Sequence, residues 1–228
     1  MIRPFFSVRL PPVIAALIGA TGLVSIAAAI GARNGAPGLL SEGLLVVPAV
    51  WGGEVWRILT WVFYEMDVLP LVFACLTLYW FGSDLARRWG AARFLGAYFG
   101  IAAAAAVVTC LVGRFLWTQV AMIPQGGSWP VLDALVIAWG LMHAQRTVRL
   151  YGVVAISGRQ LVLITIAGTI LYALFRGAAA YVPHFAAEAV TLLALGPVRR
   201  LSRDRRRQQK AQAKAWSFDD WLARNWRR

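Results

Sequence analysis

Charged side chains are scarce in this chain, at 14% of 228 residues, and only ten of them are acidic. A soluble domain carries about 25% charged residues, so a water-facing surface of ordinary extent is excluded. There are two cysteines, Cys75 and Cys110, each inside an apolar run. Two are too few for a disulfide framework or a cysteine-built metal site. The two histidines, His143 and His184, fall in different apolar segments, and no metal-ligand spacing exists, so no cofactor is implied. A recognised base-reading module is also missing, which removes nucleic acid as a partner despite a net charge of +13.

What the chain does have is apolar residues, 60% of the total. A membrane-crossing helix takes about 20 of them, fewer inside a bundle. Six runs qualify, at 11–32, 67–82, 91–112, 129–143, 160–175 and 179–196. The fold class expected is an all-α polytopic membrane protein with six spans. The first run, with Arg3 and Arg9 before it and AAAIGA near its end, also imitates a signal peptide. It is longer than the usual apolar core of one, and we read it as a retained span.

Basic residues orient the bundle. With the N-terminus inside, the inner segments hold 19 of the 23 lysines and arginines, and the outer ones only Arg33, Arg57, Arg114 and Arg176. That is the positive-inside pattern, with both termini cytoplasmic. The organisation expected is a short N-terminus (1–10), a membrane domain (11–196) and a basic tail (197–228). The orientation fits a bacterial inner membrane or an endoplasmic-reticulum-like one, and the Ala- and Trp-rich style points to the bacterial inner membrane.

The segments between and within the spans are uneven. Loop one, 33–66, is long and holds Trp51, Trp56, Trp61, Tyr64 and three acids, Glu42, Glu54 and Glu65. Aromatics of this kind sit at headgroup level, so the loop is expected to fold as a partly embedded unit. Gly96-x-x-x-Gly100 with Ala104 in the third run is a ridge for close helix contact, read here as packing within the chain. The fourth run is about 22 Å long as a helix, too short to cross alone, and begins after PQGGS. Irregular backbone at that depth must be enclosed by protein or line a wet cavity. Asp133, His184 and Glu188 lie in the fourth and sixth runs, and an ionisable group in a span marks a candidate site.

These segments resemble the rhomboid intramembrane proteases and their non-proteolytic relatives, the derlins. The similarity is carried by Gly53-Glu54-Val55-Trp56-Arg57-Ile58-Leu59-Thr60, by Leu71 through Phe94, and by His184-Phe185-Ala186-Ala187, over roughly residues 45–196. The resemblance implies a six-helix bundle with a long first loop and a short fourth helix. It also implies a serine–histidine dyad, the serine in a Gly-x-Ser-Gly motif and the histidine from span six.

Here the pattern is broken. Anchored on Ala138-Trp139-Gly140 without a gap, the motif falls on Gly127-Ser128-Trp129-Pro130, which puts Trp129 at the nucleophile position and Pro130 after it. A one-residue shift keeps Ser128 but places the indole of Trp129 where the last glycine belongs. The polar positions of the family's second span correspond to Glu65, Pro70 and Ala74. Two readings of function follow. One is a pseudoprotease that binds transmembrane segments of other proteins without cutting them, with Asp133 and His184 paired in place of the dyad and Glu188 the competing partner. The other is an active protease using Ser128 and His184. On the bland reading Ser128 is a turn residue ahead of a helix and Pro130 sits in its first turn. A small transporter is disfavoured, since the spans show no internal repeat.

The tail segment 199–214, RRLSRDRRRQQKAQAK, fits anionic lipid headgroups, although the same charges also serve to fix topology. After it, Ser217 and Asp220 read as a helix start, with Phe218, Trp221, Leu222 and Trp226 on one face, a short amphipathic helix for a membrane surface or a partner.

Overall fold

The computed structural model describes residues 10–36, 38–145, 147–150 and 154–195. The basic tail and its expected amphipathic helix lie outside the described residues. The chain divides into two compact units, Met1–Leu192 and Leu193–Arg228.

Five helices are long and apolar enough to cross a membrane: α1 (Pro12–Arg33), α5 (Val68–Trp89), α6 (Ala91–Leu116), α9 (Gly158–Arg176) and α10 (Ala178–Leu195). Three short helices, α2 (Gly38–Gly43), α3 (Val47–Trp51) and α4 (Arg57–Thr60), fill loop one, and α7 (Thr118–Met122) follows α6. The sixth membrane-depth helix is α8 (Trp129–Met142), 14 residues long. That is about 21 Å, which does not cross a bilayer core. Its environment explains how it can be short. Pro130, Val131, Leu132 and every residue from Ala134 to Gly140 are buried, whereas the long helices bury only 28–33% of their most apolar stretch. The other helices thus meet the lipid, and α8 forms the core they surround.

The second run extends further than its apolar stretch suggested. It continues through a π-helical turn, Leu78–Gly82, into Ser83–Trp89 before Gly90, at φ 80°, ends it. A side chain at Gly82 would press on Ile14 at 3.2 Å, so this glycine lets α1 approach α5. Glycines also join α8 to α9. A Cβ on Gly140 would lie 2.6 Å from the Gly158 carbonyl oxygen, and one on Gly158 2.5 Å from that of His143. Gly96 and Gly100 behave differently. Nothing lies within 4 Å of a Cβ at either, so the ridge expected to pack within the chain faces away from it. The small inner residues Ala102, Ala105 and Ala106 make the intramolecular contact instead.

One element departs from an all-helical chain. Thr147–Leu150 (β1) pairs antiparallel with Val154–Ser157 (β2), Thr147 opposite Ser157. The β-branched residues of TVRLYGVVAIS favour strands on either side of Tyr-Gly. Ser157 then starts α9 through a capping box with Gln160.

Loop one is tied down from both sides. Leu45 and Gln125 exchange backbone hydrogen bonds at 2.8 and 2.9 Å, joining it to the segment before α8. The Ser25 hydroxyl of α1 donates to the Phe63 carbonyl and accepts from the Glu65 N–H, at 2.9 and 3.0 Å. Trp56 and Arg57 organise its interior. The Arg57 guanidinium donates to the Ser41 and Leu44 carbonyls and pairs with Glu54, while Trp56 Nε1 donates to the Glu42 carbonyl. Arg57 is buried, so these bonds replace the water it loses.

Candidate functional site

Polar groups gather where loop one, the start of α8 and the start of α10 meet. Gly127, at φ 110°, turns the chain into α8 while its N–H donates to the Trp61 carbonyl. A side chain at Gly127 would meet the Glu65 carboxylate at 3.0 Å, so this carboxylate lies directly against the turn. Ser128 follows, fully buried. Its carbonyl receives the first helical N–H groups, from Val131 and Leu132, but its side chain does not cap the helix. Both the Ser128 N–H and its hydroxyl donate to Glu65 Oε1, each at 2.7 Å. Burial raises the Glu65 carboxyl above the ordinary carboxylate range. The two Ser128 hydrogen bonds and the field of His184 oppose that rise.

One turn into α8, Asp133 Oδ2 lies 2.7 Å from His184 Nδ1. The imidazole rests against the Tyr181 ring at 4.9 Å, and Tyr181 stacks on Tyr172 of α9 at 6.2 Å. Glu188 takes a separate partner, accepting from the Thr169 hydroxyl of α9 at 2.6 Å. It remains within electrostatic reach of Asp133 and His184.

The structure therefore brings Asp133 to His184 and leaves Glu188 to Thr169. Among the described residues, no hydrogen bond joins Ser128 to His184. Trp129 is half-buried against the core and Pro130 is buried in the first turn of α8. Trp56 and Arg57 hold loop one and do not enter the cluster. Glu65 was visible in the sequence as one of three acids in loop one and as a replaced family position. Its signal was an acid three residues before an apolar span. Thr169 gave no signal, since a threonine in a span commonly bonds its own helix. His143 belongs to the opposite end of α8, stacked on Trp139 at 4.4 Å and 3.7 Å from Asp84, which also accepts from Trp139 Nε1 at 2.9 Å. Among the described residues, no three His, Cys, Asp or Glu side chains are grouped to hold a metal ion.

A family model described as eukaryotic integral membrane protein (DUF1751) matches residues 13–212, which is most of the chain. The chain belongs to that family. No curated protein matches it. Membership of a eukaryotic integral membrane protein family agrees with the five spanning helices and corrects the expectation of a bacterial inner membrane. The physical reason for the miss is that positive-inside charge bias orients proteins in the endoplasmic reticulum as it does in bacteria. The arginine distribution reports a side of the membrane, and it is silent about which membrane. For the DUF1751 family the 13–212 match covers all six membrane-depth helices, so the polar cluster lies within the matched region.

Proposed function

We propose that the chain is a rhomboid-like membrane protein that binds transmembrane segments of other proteins without cutting them. The observation supporting this is that Glu65 Oε1 takes both donors of Ser128. A serine nucleophile needs its hydroxyl proton on a base, and the oxyanion it creates needs free N–H donors. Here one carboxyl oxygen holds the hydroxyl and the N–H together, which takes that N–H from an oxyanion and leaves the hydroxyl without a bond to His184. The degraded motif, with Trp129 and Pro130 after Ser128, agrees with this reading. A second reading, the active protease, has one observation in its favour. A histidine with Nδ1 on a carboxylate is the arrangement that orients a base for a serine.

Fluorophosphonate labelling of the chain in lipid vesicles separates the two. The binding reading expects no labelling and no cleavage of a transmembrane reporter, together with measurable association with that reporter. Labelling of wild type that disappears in Ser128→Ala would overturn it. We further propose that the basic segment 199–214 associates with anionic headgroups, at about 1 kcal/mol per lysine or arginine near the surface.

A further inference from the structure

The proposed binding role leaves open what kind of segment is bound, and the charges around α10 narrow the choice. Asp133 and His184 are not sealed in the core, since 18% of each side chain is exposed. Next to them α9 presents an unpartnered surface, with Leu171, Tyr172, Leu174 and Phe175 between 54% and 83% exposed. Tyr172 connects that surface to the interior through Tyr181 and His184 to Asp133. Asp133 bonds the imidazole, and Glu188 and Glu65 lie within its electrostatic reach. The described cation nearest by sequence is Arg176, exposed at the end of α9.

A lipid tail covers apolar side chains equally well, but it brings no cation. His184 is the sixth residue after Ala178, so it lies about 9 Å along α10 from the helix start. A headgroup amine stays at the surface. A cation carried on a helix can be held at that depth, where a partner carboxylate offsets its desolvation.

We infer that the bound segment is a transmembrane helix with a lysine or arginine about six residues inside its non-cytoplasmic end, docked on the exposed face of α9 with its cation on Asp133. This rests on the proposed binding role. The exposed Tyr172 ring, stacked on Tyr181, is placed to meet the same cation. Arg176 repels a cation held at the rim and so selects the deeper position.

The test uses the full chain in phosphatidylcholine vesicles and three fluorescent oligoleucine helices, with association read by energy transfer. One helix carries a lysine at the sixth position from its non-cytoplasmic end, one carries it at the sixth position from the other end, and one has none. The first is expected to associate about tenfold more tightly than the others. Asp133→Asn should remove that difference. Tyr172→Leu, a change on the exposed surface, should reduce the difference and decides the matter should Asp133→Asn fail to fold. Equal association of all three helices with wild type, or a preference that survives both variants, overturns the charge argument alone. Association of none of the helices overturns the binding role and this inference with it.

Discussion

Removing Glu65 probes the centre of the site. The carboxylate is buried and supplies the acceptor for two buried donors of Ser128. In Glu65→Ala both donors lose their partner, at about 1–3 kcal/mol each, or about 2–6 kcal/mol together. Glu65→Gln keeps an oxygen in the same place and removes a charge whose burial is costly, so its expected cost is under about 1 kcal/mol. Thermal unfolding in nanodiscs, followed by fluorescence of the eleven tryptophans, measures both. At about 2–4 °C per kcal/mol, Glu65→Ala should unfold roughly 5–20 °C below wild type, with Glu65→Gln within a few degrees of it. The pH dependence gives an independent check. Burial raises the folded-state carboxyl above its ordinary value of 4.5, so the folded state holds this proton more tightly than the unfolded one. The contribution to stability is therefore full below 4.5 and declines as pH rises towards the folded value. Glu65→Gln should lose that decline. Equal melting of the Ala and Gln variants, or an unchanged pH slope in Glu65→Gln, would refute the reasoning.

Other outcomes follow from the same geometry. Gly140→Ala places a methyl 2.6 Å from a backbone oxygen of α9, and should cost about 1–3 kcal/mol through overpacking, read by the same melting assay. Gly96→Ala and Gly100→Ala meet open space, so each should stabilise the chain by about 0.5–1 kcal/mol; a loss of stability or of a dimer on gel filtration would show that the ridge is covered by another copy. Arg57→Lys, which cannot reproduce the guanidinium's bonds to Ser41, Leu44 and Glu54, should cost about 1.5–3 kcal/mol and expose loop one to limited proteolysis. His184→Gln combined with Asp133→Asn should be less harmful than Asp133→Asn alone, because a half-buried His184 without its carboxylate partner is costlier than a matched Gln–Asn pair.

The spans were legible because lipid imposes a simple demand. Each of the six apolar runs coincides with a helix, and the shortness of the fourth was visible in its count of residues. The β1–β2 pair was not legible, since two four-residue runs in a connection between spans carry no periodicity long enough to mark an element. Asp133 could be named as a neighbour of His184 because the rhomboid resemblance sets Trp129 opposite His184, and helical spacing then places Asp133 one turn further on. Glu65 could not be assigned to Ser128 on such grounds. Their contact depends on Ser25, Leu45, Gln125 and Gly127 bringing two distant loops together, and no periodicity encodes it. The open face of Gly96 and Gly100 was equally hidden, since a glycine pair reads the same whether a neighbour fills it or not.

The Glu65–Ser128 contact also sets an order in time. The two residues are 63 positions apart, and α5 and α6 lie between them. At about 5–20 residues per second, Ser128 leaves the ribosome roughly 3–13 s after Glu65. Through that interval, while α5 and α6 are themselves being made, the Glu65 carboxyl group is without the donors that later hold it. A nascent chain halted before Ser128 thus presents an unmatched acid to the surrounding bilayer, a feature by which an unfinished copy differs chemically from a finished one.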